Sequence, residues 1–361
     1  MTTTPPHAAL FEPLTLGKIA LRNRLVMAPM TRNRATVDGL ATPLMAEYYA
    51  QRAQAGLIVT EGVQPSQVGQ GFLNTPGLHT DEQTASWRQV TDAVHAAGGR
   101  IVVQLMHSGR IGHPSLYPSA HRSVAPSPLA AGGQCFTPQG MTDYEVPHEL
   151  TVEEIAATVA DFADASRRAV DAGFDGVELH AGNGFLLHQF LSDNTNHRTD
   201  GYGGDLAGRV RLTVEVAEAA AEAIGADRVG LRISPANPYN DIVEGDTDEL
   251  YGALLPALPP LAFLHVMEAQ CRPVTRTVRE AWQGALVLNP HRDAQAGAVT
   301  PEVAAEALEE GLADAVALGA LFLANPDLPA RIRAGGPYNT LDEGTFYGGD
   351  HRGYTDYPTL A

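Results

Sequence analysis

The sequence predicts an α/β protein, a (β/α)8 TIM barrel with an N-terminal hairpin plug and a long capping loop after strand 3, and three features carry that prediction. Eight short apolar runs alternate with stretches of helical periodicity, a pattern that calls for parallel strands joined by crossover helices. A two-strand hairpin precedes the first run, and a Pro-, Gly-, Ser- and His-rich insert follows the third. A length of 361 residues by itself suggests two domains, but β/α barrels reach this size as one unit. A single domain over residues 1–361, with 106–150 as its cap, is therefore expected.

The predicted strands are Leu25 to Ala28, Leu57 to Glu61, Arg100 to Leu105, Gly176 to His180, Val229 to Ser234, Leu261 to Met267, Ala285 to Leu288 and Ala315 to Leu318. Each is four to seven residues long, as strands buried on both faces should be. Helices are expected over Pro43 to Ala55, Asp81 to Ala97, Thr151 to Ala172, Leu206 to Ile224, Thr247 to Leu255, Val274 to Gln283, Pro301 to Glu310 and Leu328 to Ala334. Thr151 with Glu154 spells a capping box, Thr300 before Pro301 an N-cap with a proline in the first turn, and Gly98, Gly173 and Gly311 fall where helices end. Leu14 to Leu16 and Ile19 to Leu21 flank Gly17 and Lys18 as a tight hairpin able to plug the barrel floor. The stretch from Met106 to Leu150 shows no periodicity, and an insert of that length after a barrel strand overhangs the active-site mouth.

Composition excludes several function classes. Twenty-four Lys and Arg against 42 Asp and Glu give a net charge of −18, which repels a phosphate backbone, so no nucleic-acid partner is expected. Two cysteines, Cys135 and Cys271, are too few for a disulfide framework and lack metal-like spacing, which suits a reduced cytoplasm. The first 13 residues lack a basic and an apolar segment, and no run of 18 apolar residues occurs, so neither a secretory signal nor a membrane span is expected. His107, His113, His180 and His188 lack the spacing of paired metal ligands, and neither a P-loop nor a GxGxxG follows a strand. No motif speaks to oligomeric state, monomer or homodimer.

In a β/α barrel the carboxyl ends of the strands converge on one mouth, so polar residues there read as functional. The runs lead into Pro29, Met30 and Thr31; into Glu61 and Gly62; into Gln104 and His107; into His180 and Asn183; into Arg232 and Ser234; and into Glu268, Asn289 and Gly319. Thr31, Gln104 and Arg232 together offer donors, an acceptor and a fixed cation, which suits a flat heterocycle with several carbonyls. An arginine near such a ring stabilises negative charge on its reduced form. The alternative for Arg232 is an ion pair with a carboxylate such as Glu268. His180 and Asn183, three apart at a strand-to-turn junction between glycines, are able to donate to one oxygen and so polarise a conjugated carbonyl.

These residues resemble the old yellow enzyme family of FMN-dependent ene reductases across essentially the whole chain. The matching strings, in order, include Asn23 to Thr31, Tyr48 to Gly56, Thr60 to Gly62, Gln104 with Leu105 and His107, Gly176 to Asn183, Arg198 to Gly204, Leu231 to Pro235, Phe322 to Pro329 and Tyr354 to Pro358. The resemblance implies non-covalent FMN, with NADH or NADPH as reductant and a small-molecule substrate. It places Pro29, Met30, Thr31, Gly62, Gln104 and Arg232 on the flavin, His180 and Asn183 on the substrate oxygen, and Phe72 and Tyr347 on the pocket wall. The activity it implies is reduction of activated C=C bonds in unsaturated carbonyl or nitro compounds.

Three positions depart from the family's pattern. Phe185 replaces the tyrosine that serves as proton donor, which opens a second reading as a flavin-dependent isomerase. Met106 replaces a tryptophan and widens the pocket. Near strands seven and eight, Gly319 is followed by Ala320 in place of the phosphate-binding arginine. Arg292 is expected to take over that role while the backbone around Gly319 and Ala320 cradles the phosphate. A flavin-free barrel acting on a small molecule is the reading that this altered loop alone would favour.

Overall fold

The computed structural model describes residues 7–117, 121–269, 271–291 and 299–360. Eight parallel strands close into a barrel in chain order: Leu25–Met27, Leu57–Val63, Ile101–Leu105, Gly176–Ala181, Val229–Ile233, Phe263–Met267, Leu286–Asn289 and Ala315–Leu318. All eight predicted runs are strands, with ends within two residues of those expected. The β-branched and aliphatic runs bury both faces, one against the helices and the other in the barrel axis, so alternation with polar residues is lost.

Alternate residues point inward. Val26, Val59, Val102, Phe263, Val287 and Ala315 form one apolar cluster with Leu16, Ile19 and Leu21 of the N-terminal hairpin. That hairpin, Leu14–Leu16 paired with Ile19–Leu21, closes the amino-terminal end as expected, held by the Lys18 N–H on the Asp227 carbonyl. Gly230 has to be glycine: a Cβ there would lie 2.2 Å from Cζ of Phe263, whose ring fills the axis. The floor of the barrel is thus apolar and packed, and each fully buried aliphatic side chain there contributes about 1.5–3 kcal/mol.

The helices follow the predicted pattern. Thr151 and Glu154 make the reciprocal capping box, and the Thr300 hydroxyl accepts from Val303 N–H. Gly98, Gly173 and Gly311 have φ of 76°, 94° and 69°, the left-handed conformation that glycine enters without a Cβ clash. The first helix stops early, at Gln51, and the sixth expected helix runs two residues early, over Arg272–Ala281. Two short helices were not foreseen, Leu186–Leu191 after the fourth strand and Ala320–Ala324 after the eighth.

The insert 106–150 is not structureless. Gln134–Thr137 and Gly140–Asp143 pair as an antiparallel hairpin, and Val124–Ala125 pairs with His148–Glu149. Local periodicity missed them because only Cys135 and Thr137 of the hairpin are buried, in an eBeB pattern too short to stand out. At the carboxyl ends of the strands the C-terminal segment is strapped on by arginines. Tyr48 and Tyr354 stack 4.0 Å apart between Arg52 and Arg34. Arg32 donates to the carbonyls of Phe346 and Gly353, both at 2.9 Å. The strap brings Phe346 and Tyr347 beside Thr31.

Candidate active site

Two rungs of polar side chains sit above the apolar floor. Register pairs Gln104 with Glu178 on the third and fourth strands, and His180 with Arg232 and Arg232 with His265 on the fourth to sixth. Glu178 and His180 are two apart on one strand and so point the same way. Gln104 Nε2 donates to Glu178 Oε1 at 2.8 Å, and His265 Nδ1 lies 2.7 Å from Glu178 Oε2. The upper rung is left open: among the described residues, buried Arg232 Nε and His180 Nδ1 have no hydrogen-bond partner, and neither does His265 Nε2. A buried donor or acceptor without a partner costs about 1–3 kcal/mol, so these atoms point to a group that the polypeptide does not supply.

That rung opens into a cleft at the carboxyl ends of the strands, made of two adjoining cavities of about 720 and 350 Å3. Pro29, Met30, Thr31, Asn183, Arg232 and Tyr347 border both. The larger also takes in Gly62, Phe72, Gln104, Met106, His180 and Phe185, and the smaller takes in Gly319, Ala320, Asn289 and His291. Every residue that the resemblance places on the flavin, the substrate oxygen or the pocket wall therefore lines this cleft, as do Gly319 and Ala320, whereas the strand-end residues Glu61, His107, Ser234 and Glu268 do not; Arg292 lies outside the described residues.

Asn183 is held in the left-handed region at φ 53° by its surroundings. Its N–H donates to Ser234 Oγ at 2.7 Å, and its carbonyl accepts from Asn240 Nδ2 at 2.8 Å. Asn237 Nδ2 donates to its Oδ1 at 2.8 Å, which leaves the Asn183 amide nitrogen as the free donor. Below, the buried His188 takes the Gly184 N–H on Nδ1 and faces Glu244 with Nε2 at 2.6 Å. Although burial opposes it, hydrogen bonds from His188, the Ala236 N–H and Tyr251 hold the Glu244 carboxyl below its usual range.

His180 is pushed well below the usual histidine pKa by burial and then by Arg232. The imidazole is therefore neutral near pH 7. Its ring meets Phe185 edge to face at 5.2 Å, and Phe185 meets Phe72 at 6.2 Å. Met106 folds onto the second strand, where a Cβ on Gly62 would come within 2.6 Å of its sulfur. Thr31 makes no hydrogen bond to protein among the described residues.

Arg232 is not paired with Glu268. That carboxylate is taken by Arg272 at 2.6 and 3.0 Å, by the Thr275 hydroxyl and by the His291 N–H. Sequence reasoning passed over Glu178, His265 and Asn237. The signal for the first was available, since Glu178 sits two residues before His180 in an otherwise apolar strand. Asn237 carried none, because its partner is 54 residues away. The donor set of Arg232, Gln104 and Thr31 around a slot between strand ends fits a planar ring rich in carbonyls.

Comparison with known proteins agrees with this geometry. The family model described as NADH:flavin oxidoreductase / NADH oxidase matches residues 9–339. A flavin oxidoreductase of Emericella nidulans is 39% identical, with 99% of each chain covered. A probable flavin mononucleotide-dependent alkene reductase of Leishmania infantum is 42% identical, with 97% of each covered. Morphinone reductase, solved in complex with tetrahydroNAD, superposes with a TM-score of 0.93 at 41% identity over 98% of both chains. Matched end to end in sequence and in fold, the chain belongs to the NADH:flavin oxidoreductase / NADH oxidase family, the old yellow enzymes, as an FMN-dependent oxidoreductase that uses NAD(P)H.

Proposed function

We propose that this enzyme reduces activated C=C bonds of enones, enals, maleimides and nitroalkenes. The observation that carries the reading is the pair of donors at the mouth: neutral, buried His180 with a partnerless nitrogen, and Asn183 with its amide nitrogen freed by Asn237. FMN held there would supply the hydride chemistry, linking oxidation of NADH or NADPH to reduction of the alkene.

The residues divide the remaining work. Arg232, Gln104, Thr31, Gly62 and the backbone of Pro29 and Met30 hold the ring, with the Arg232 cation favouring the negative charge of the reduced form. Gly319, Ala320 and His291, together with Arg292, are assigned to the phosphate, a role that the position of the first three in the smaller cavity supports. His180 and Asn183 grip the carbonyl or nitro oxygen, on which charge builds as hydride reaches the β-carbon. Phe72, Met106 and Phe185 form the wall, and Tyr347, 70% exposed, stands at the rim.

Phe185 favours a second reading, a flavin-dependent isomerase. It carries no proton, and for a reductase the α-carbon then draws its proton from water entering past the rim. One experiment separates the two: reduced enzyme, held anaerobically, is mixed with 2-cyclohexenone. Reoxidation of the flavin supports the reductase. Unchanged flavin with this and the other activated alkenes supports the isomerase, and a colourless chain that refuses FMN removes both.

A further inference from the structure

The lower polar rung is not needed to build a barrel, yet both oxygens of its central carboxylate are satisfied. Glu178 is fully buried, and an unpaired charge there would cost several kcal/mol. Its two oxygens are used by Gln104 and His265 at 2.8 and 2.7 Å. Two consequences follow for the rung above. With one Gln104 N–H committed downward, the amide is fixed in rotation and presents its oxygen to the cleft. And Arg232, diagonal to Glu178 across the Gly230 register pair, has this carboxylate as its one charge partner among the described residues: it supports the guanidinium's charge against burial. No hydrogen bond joins the two, so the Arg232 donors stay free for the cleft.

We propose that Glu178 is a positioning residue for the flavin site, one that orients the Gln104 amide and tempers the Arg232 cation, and thereby sets how strongly the pocket favours reduced over oxidised FMN. The inference rests on the flavoprotein reading of the cleft. Its sign is fixed by Coulomb's law: a carboxylate beside Arg232 weakens the cation's hold on the anionic reduced ring, so removing the carboxylate's charge raises the potential.

The test is the midpoint potential of bound FMN, with its affinity in each redox state, for the parent, Glu178→Gln and Glu178→Asp. Glu178→Gln should shift the reduced-to-oxidised ratio at least tenfold toward reduced, about 30 mV for a two-electron couple. Glu178→Asp, which keeps the charge, should stay near the parent. A packing role would instead weaken both redox states alike, so equal affinity losses with no potential shift in Glu178→Gln overturn the proposal. A Glu178→Asp shift as large as that of Glu178→Gln overturns it as well. Loss of FMN from Glu178→Gln with retention by Glu178→Asp supports it, whereas loss from both in a barrel with unchanged circular dichroism overturns it. A parent chain that binds no FMN would defeat the flavoprotein reading itself rather than this assignment.

Discussion

Phe185 is the residue on which the second half of the reaction turns. Its ring packs edge to face on His180 at 5.2 Å and is only 6% exposed, so a hydroxyl added to it would face the same cleft without leaving the pocket. Phe185→Tyr should leave flavin reduction by NAD(P)H unchanged and accelerate reoxidation by an enone, because a placed general acid is worth roughly 10²- to 10⁴-fold when nothing else fills its role. Stopped-flow measurement of the two half-reactions checks this; a slowed reoxidation would contradict it. His180 makes a different prediction. His180→Ala should weaken binding of p-hydroxybenzaldehyde, whose phenolate mimics the enolate, by tenfold or more, read from the flavin spectrum. Since burial and Arg232 hold the imidazole neutral, its folded pKa lies below the unfolded value, and binding to the parent should show no break near pH 6.5. A titration step at that pH would mean that the imidazole is not desolvated as described.

At the scale of elements, the turn from Gly182 through the helix Leu186–Leu191 acts as one bracket. It is tied from outside by Ser234, Asn237, Asn240 and, through His188 of the helix itself, Glu244, all some fifty residues later in the chain. Asn237→Ala should remove the partner that orients the Asn183 amide and weaken binding of p-hydroxybenzaldehyde about fivefold, for a net hydrogen bond of about 1 kcal/mol. FMN affinity should not change, and an equal loss of both would point to a collapsed loop. The strands, the plug and most helix ends of this barrel could be read from the chain because each rests on local chemistry: β-branched runs, a capping box, glycines at positive φ. The bracket helix could not, since Leu186–Leu191 is buried on every side, His188 and Gln189 included, and at six residues is too short to show a period. The cap hairpin hid for the opposite reason, most of it being exposed.

For the whole molecule, acidity is the natural stress. Burial lowers His107 to about 3 and also depresses His79, His180, His265 and His291. These groups bind more protons unfolded than folded once the pH drops below about 6.5, so the stability present above that pH is lost as the pH falls toward their folded values. Glu61 acts the other way. Its buried carboxyl is raised to about 7, so its contribution is full below about 4.5 and fades as the pH rises through 7. Five histidines against two raised carboxyls, Glu61 and the half-buried Asp161, should make the net slope positive, and the melting temperature should fall between pH 6.5 and 5. A flat or rising profile over that interval would show that the histidines are solvated in the folded chain.

Sequence alone determined the barrel, its plug, and the convergence of Thr31, Gln104, His180, Asn183 and Arg232 on one mouth, because strand polarity in a closed parallel sheet sends every carboxyl end to the same rim. Tertiary structure decided which of the polar groups are spent and which remain free. Glu268 is consumed by Arg272, while Arg232 and His180 keep unpaired nitrogens and Glu178 holds the rung beneath them. Hydrogen-bond satisfaction is a sum over neighbours drawn from every strand, and no window of the chain contains that sum.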